Sequence, residues 1–151
     1  MTKHLANIDF EEGDTVMTKQ ELCQKAQDML KMAYIPYSKF PVGAALECDD
    51  GTVYTGCNIE NAAYGPSVCA ERVAVFKAVS EGRRRFVRLA VAADTRDFCS
   101  PCGVCRQVLH EFAPDLEVIM VNRDGETRTV TLPELLPYSF GSSTLADQAG
   151  V

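Results

Sequence analysis

The chain has 151 residues, a formal net charge of −6 and an isoelectric point of about 4.9. This length is enough for one domain that folds without disulfides, and the acidic balance argues against a nucleic-acid polymer as partner, because such partners require a basic face. Seven cysteines, an odd number, and the lack of a membrane-length apolar run favour a cytoplasmic protein over a secreted or membrane protein.

The N-terminal part of the sequence divides near residue 17. Residues 1–16 are predicted to be a flexible acidic tail, and residues 17–151 a single domain. The domain opens with a helix, because Thr18 and Glu21 have the spacing of a capping box and apolar residues follow at helical intervals to Ala33. We expect the turn at Pro36 to end this helix.

The remaining hydrophobic pattern predicts five strands and three further helices. The strands are expected at residues 42–48, 52–57, 89–93, 117–121 and 127–131. The helices are expected from Cys69 to Gly82, from Pro101 to Pro114, and at residues 133–136. The order α-β-β-α-β-α-β-β-α predicts a three-layer α/β/α fold, with a mixed five-strand sheet between layers of helices.

Three cysteines have the spacing of a catalytic zinc site. Cys102 and Cys105 are three positions apart, so both thiols would lie on one face of the first turn of a helix that begins at Pro101. Cys69 would complete a set of three protein ligands and leave the fourth tetrahedral position for water. Cys99 could compete as a ligand, although its place in the loop before Pro101 favours a bystander.

Glu71 and Arg72 directly follow this first cysteine. A hydrolytic zinc needs a group that moves the proton of its water, and Glu71 is close enough in sequence to do so. Zn²⁺ with three thiolates carries a net charge of −1, which Arg72 would offset by donating hydrogen bonds to a sulfur. A lone C-x-x-C is as often a redox pair or half of a structural zinc site, but neither of these would require Glu71.

Five segments carry a resemblance to a known family. They are Tyr34–Phe40, Val42–Ala45, Gly56–Tyr64, Cys69–Arg72 and Pro101–Gln107. These segments resemble the small homotetrameric zinc-dependent cytidine deaminases, and the last two match the (His or Cys)-x-Glu…Pro-Cys-x-x-Cys signature of zinc deaminases. The resemblance implies one zinc per chain and hydrolytic deamination of cytidine and 2′-deoxycytidine, with Glu71 carrying protons.

The resemblance also implies a set of substrate-binding residues. They are Phe40, Asn58, Glu60, Ala62, Tyr64, Ala70 and Phe140. By resemblance, Asn58 and Glu60 hold the ribose 3′-hydroxyl, and Tyr64 and Phe140 reach into the site of a neighbouring subunit in a homotetramer. The residues alone favour a role for Asn58 and Asn61 in stabilising a turn and a core position for Phe40, and Phe140 could equally cap the core of its own subunit.

Two other classes of function stay open at this point. A different deaminase of the same fold, such as a blasticidin-type, guanine or transfer-RNA adenosine deaminase, would share the zinc ligands. A non-catalytic zinc-binding module would tolerate the loss of Glu71. The acidic charge and the pair Asn58 and Glu60 favour a free pyrimidine nucleoside as substrate.

Overall fold

The computed structural model describes residues 17–146. The strands are β1 (Val42–Cys48), β2 (Val53–Cys57), β3 (Phe86–Ala93), β4 (Glu117–Val121) and β5 (Thr127–Thr131). The helices are α1 (Lys19–Asp28), α2 (Ala70–Ser80), α3 (Gly103–Phe112), α4 (Leu132–Leu135) and α5 (Ser142–Ala146). The predicted tail lies outside the described residues, so its flexibility and the domain boundary at residue 17 stay predictions.

All five strands form one sheet in the order β2-β1-β3-β4-β5. The β3–β4 pair is parallel and the other pairs are antiparallel, so the prediction of a mixed sheet is confirmed. Strand β3 is central and begins at Phe86, earlier than the predicted Leu89. The charge of Arg88 interrupts the apolar run there, but its guanidinium lies opposite Glu47 of β1 and pairs with that carboxylate at 2.5 Å.

Side chains alternate between the two faces of the sheet, and helices cover both. Leu22 and Ala26 of α1 pack on one face, where Ala90 and Ile119 point. The other face is covered by α2, α3 and α4, and the buried residues there include Leu46, Leu89, Ala74 and Leu109. The three-layer α/β/α prediction is therefore confirmed.

The first helix ends earlier than predicted. Its capping box is present, since Glu21 N–H donates to Thr18 Oγ1 at 3.2 Å and Thr18 N–H donates to Glu21 Oε2 at 2.8 Å. The α-helix stops at Asp28 and a 3₁₀ segment, Met29–Met32, follows. After this tighter turn, the Tyr34 backbone forms hydrogen bonds with the backbone of Asn58 and Glu60. Helical periodicity in the sequence does not predict this long-range contact.

Helix α2 lies directly against strand β2, and this contact places the start of α2 relative to the sheet. A Cβ atom on Gly56 would lie 2.3 Å from the carbonyl oxygen of Ala70. Only glycine permits so close an approach of two backbones. Among residues 17–146, no helix is both long and apolar enough to cross a membrane.

Candidate active site

Two helix N-termini meet on the face of the sheet that α2 and α3 cover. Cys69 is the N-cap residue of α2 and Cys102 is the N-cap residue of α3, and neither side chain caps its own helix. Their sulfurs are 3.8 Å apart. Helix α3 begins at Gly103, so the prediction that Pro101 starts the helix was wrong. Cys102 has an extended backbone, with ψ of 167°, and only Cys105 lies within the first turn.

The sulfurs of Cys69, Cys102 and Cys105 all lie within 4.8 Å of one another. Tetrahedral zinc with Zn–S bonds of about 2.3 Å separates neighbouring sulfurs by about 3.8 Å, which is the separation of Cys69 and Cys102. Within the described residues 17–146 this is the single cluster of metal-ligating side chains, and Cys99 is not part of it. The residues present fit a zinc ion.

Arg72 places a positive charge beside the cluster. Its Nη2 donates to Cys69 Sγ at 3.4 Å. The pKa of Cys69 is lowered to about 5, chiefly by the hydrogen bond with the Cys105 thiol and then by Arg72. The same thiol–thiolate contact raises the pKa of Cys105. Zinc binds cysteine as the thiolate, so a metal ion that binds these sulfurs displaces the protons that they still carry.

Glu71 lies behind the cluster and is only 4% exposed. Its Oε2 atom is buried and has no hydrogen-bond partner among residues 17–146. Burial raises the pKa of this carboxyl to about 7. A carboxyl with such a pKa can both accept and release a proton near neutral pH. Its unpaired oxygen is free for a ligand of the site.

A cavity of about 510 Å³, within the range of small-molecule sites, reaches the cluster at Cys69, whereas Glu71, Cys102 and Cys105 do not line it. Cys69 and Arg72 line it at one end, and Asn58, Glu60 and Tyr64 are among the residues of its walls. Four of the residues implied by the resemblance do not line it. They are Phe40, Ala62, Ala70 and Phe140.

Asn58 and Glu60 both hold the loop at residues 37–42. The Asn58 carboxamide accepts from Val42 N–H and donates to the Phe40 carbonyl oxygen, each at 2.8 Å. The Glu60 carboxylate accepts from the N–H groups of Tyr37 and Ser38 at 2.9 and 3.2 Å. This loop-holding role was one of the open alternatives, and the ribose role stays a prediction.

Sequence reasoning missed Tyr37 as a residue of the site. It lines the cavity, and its ring packs edge-on against Tyr64 with centroids 6.2 Å apart. Tyr64 has a positive φ of 56°, an uncommon conformation for an aromatic residue. Tyr37 directly follows Pro36 within the resembling segment Tyr34–Phe40, but an aromatic residue in such a loop is as typical of a core position.

The protein families to which the chain is similar agree with this geometry. The family model for the cytidine and deoxycytidylate deaminase zinc-binding region matches residues 16–121. A curated cytidine deaminase of Sporosarcina psychrophila is 50% identical over 131 residues, which cover 86% of this chain and 96% of that protein. The chain belongs to this deaminase family.

Other members of the deaminase family refine the comparison. A crystal structure of cytidine deaminase from Burkholderia pseudomallei has a TM-score of 0.80 and 46% identity, and the match covers 82% of this chain and 100% of that one. A blasticidin-S deaminase of Bacillus cereus is 30% identical over 128 residues, covering 80% of this chain and 90% of that protein. The three cysteines lie within the zinc-binding region of the family.

Proposed function

We propose that this chain catalyses the hydrolytic deamination of cytidine and 2′-deoxycytidine to the corresponding uridines and ammonia. The observation that carries the proposal is the buried carboxyl of Glu71, whose Oε2 has no hydrogen-bond partner in the described part of the chain and which lies beside three clustered cysteine sulfurs. A structural zinc site needs no such acid. The half-identical cytidine deaminase relative supports cytidine over blasticidin S as substrate.

The zinc ligands, Glu71 and Arg72 have different roles in the proposed deamination. Cys69, Cys102 and Cys105 would hold one zinc, which supplies a water of lowered pKa and a Lewis acid. Glu71 takes a proton from the attacking water and delivers it to N3 of the base. It then takes the second proton from the hydroxyl now on C4 and transfers it to the amino group, so that the C4–N bond breaks, a C4=O bond forms and ammonia leaves. Arg72 stabilises the thiolate of Cys69.

The charges of the chain support a small substrate without a phosphate chain. Two of the three arginines directly after α2 are paired with carboxylates, since Arg83 pairs with Asp50 and Arg85 pairs with Asp49. In the cavity, Arg72 is committed to Cys69, and Glu60 adds negative charge. An anionic substrate would find little compensation in these surroundings.

We further propose that the active form is a cytoplasmic homotetramer whose sites are shared between subunits. Phe140 is 58% exposed and Tyr64 is 73% exposed, which is a large apolar area for two aromatic side chains to leave in water. Gln107 Nε2 donates to the Phe140 carbonyl oxygen at 2.8 Å and fixes its backbone. A second copy that covers these rings would complete the site.

The test is a steady-state assay with purified protein that follows the loss of cytidine absorbance. We expect equal amounts of uridine and ammonia, turnover of 2′-deoxycytidine, and little or no turnover of cytidine monophosphate or blasticidin S. A protein that binds zinc but converts none of these compounds would contradict the proposal and favour the zinc-binding module. Preferential turnover of blasticidin S would favour the other deaminase class.

A further inference from the structure

Arg106 directly follows Cys105 and joins three separate parts of the chain. Its Nε donates to the Pro101 carbonyl oxygen at 2.7 Å, and its Nη2 donates to Ser100 Oγ at 2.8 Å. Its Nη1 donates to the Leu135 carbonyl oxygen at 2.7 Å. The side chain is half-buried, so these hydrogen bonds are partly shielded from water.

Two of the three acceptors immediately precede Cys102. This cysteine is exposed, lies outside the helix and has no hydrogen bond from its side chain to its own N-terminal turn. Cys105, in contrast, is fully buried within α3. Core packing therefore sets the position of the Cys105 sulfur, whereas that of Cys102 depends on the loop between β3 and α3 and on one backbone hydrogen bond, from Arg106 N–H to the Cys102 carbonyl oxygen at 2.9 Å.

The Arg106 side chain links the segments that carry the two cysteines. It starts on α3, the helix that contains Cys105, and extends back to the loop that leads to Cys102. Its planar guanidinium presents several donors in a fixed arrangement, so it holds Pro101 and Ser100 at the same time in one orientation. The third hydrogen bond ties this arrangement to the end of α4 at Leu135. The loop is thereby fastened to the helix that carries Cys105.

We propose that Arg106 is a positioning residue for the zinc site. It holds Cys102 where its sulfur lies within 4.8 Å of those of Cys69 and Cys105. This role rests on the proposed zinc-dependent function, and it differs from that of Arg72. Arg72 donates a hydrogen bond to the sulfur of Cys69. Arg106 donates instead to the Pro101 carbonyl oxygen and the Ser100 hydroxyl, which precede Cys102 in the chain.

The test measures how fast zinc leaves the folded protein. Zinc-loaded wild type, Arg106→Gln, Arg106→Lys and Ser100→Ala are mixed with a chromogenic chelator, and the visible absorption of the Co²⁺-substituted forms is recorded in parallel. Arg84→Gln is the matched control, because Arg84 is exposed and donates only to the carbonyl oxygens of Val79 and Arg83. Thermal midpoints of zinc-loaded and zinc-free protein report the stability of each variant.

We expect Arg106→Gln to release zinc roughly 10- to 100-fold faster than wild type, the effect typical of residues that orient metal ligands. Arg106→Lys keeps the positive charge but loses the planar set of N–H donors. Its zinc release rate should therefore lie between those of wild type and Arg106→Gln. Ser100→Ala removes one acceptor and should speed release roughly two- to tenfold. The Co²⁺ spectrum should change in Arg106→Gln and stay unchanged in Arg84→Gln.

Release from Arg106→Gln within about twofold of wild type would overturn the proposal. An equal drop in the midpoints of its zinc-loaded and zinc-free forms, with unchanged release, would also overturn it by showing a role in the fold alone. If Arg106→Gln does not fold, Ser100→Ala decides by the same criterion. A wild-type chain that binds no zinc would overturn both this proposal and the proposed function. Wild type that binds zinc, with unchanged release from Arg106→Gln, would overturn only the role of Arg106.

Discussion

The floor and the rim of the site are built in different ways. At the floor, Cys105 and Glu71 are buried on helices that pack against the sheet. The rim comprises Tyr64, which lines the cavity, and Phe140, which we propose covers the site of a neighbouring subunit; both are exposed on segments outside the sheet and the larger helices. One chain therefore supplies the groups that carry the chemistry in fixed positions, but it leaves the aromatic residues that would cover a substrate facing water.

The largest effect should come from removing a sulfur at the floor. Cys69→Ala, Cys102→Ala or Cys105→Ala should lower zinc well below one per chain and abolish turnover, because two thiolates hold zinc far less well than three. Metal analysis after gel filtration checks this expectation. Cys99→Ala is the matched control and should keep its zinc, since Cys99 lies outside the cluster. Equal zinc loss in that control would mean that the ligand set is different.

Glu71→Gln should give the next largest effect. The amide keeps the size of the side chain but cannot carry a proton, so kcat should fall by roughly 10²- to 10⁴-fold. Zinc content and thermal midpoint should stay near those of wild type, because Glu71 is not needed as a ligand. Turnover close to wild type would remove Glu71 from the mechanism.

The contrast between floor and rim also explains what the sequence could predict. The cysteines and Glu71 occupy two short motifs at helix starts, so spacing predicted each motif, whereas joining Cys69 to the second motif depended on the ligand count of a zinc site and on the family resemblance. The start of α3 was misplaced because a proline fits before a helix as well as at its first position, and Pro101 instead offers its carbonyl to Arg106. Helix α5 carries few apolar residues and was not predicted.

Long-range hydrogen bonds were the part that the sequence could not predict. Nothing in the local pattern shows that Asn58 and Glu60 hold a loop some twenty residues earlier, as the backbone contacts with Tyr37 and Phe40 reveal. The role of Arg106 depends on Leu135, which is 29 positions away. Such contacts follow from the assembled fold and leave no periodic signal.

Arg72→Ala, which also changes the floor of the site, should have a smaller effect than Glu71→Gln. Loss of the hydrogen bond to Cys69 leaves the charge of the thiolate less compensated, so kcat, zinc retention or both should fall, by roughly 10- to 100-fold. Chelator competition and steady-state kinetics measure the two quantities. An effect on KM alone would place Arg72 on the substrate and at the rim.

Asn58→Ala should have the smallest effect of the four and should separate two roles of that side chain. If Asn58 binds the ribose 3′-hydroxyl, KM for cytidine should rise roughly tenfold, whereas KM for 2′,3′-dideoxycytidine should change little. If Asn58 only holds the loop at Phe40 and Val42, KM should rise by the same factor for both nucleosides. Asn61→Ala is the matched control, because Asn61 accepts from Ala63 N–H within its own turn.

If sites are shared as we propose, each one joins a floor from one subunit to a rim from another. Glu71→Gln and Phe140→Ala chains, each inactive or nearly so alone, are mixed, dissociated, reassembled and assayed for cytidine turnover. Hybrid tetramers contain sites with an intact Glu71 and a neighbour's intact Phe140, so we expect activity to reappear. No recovered activity in hybrids proven by mass spectrometry, or a fully active wild-type monomer, would contradict the claim.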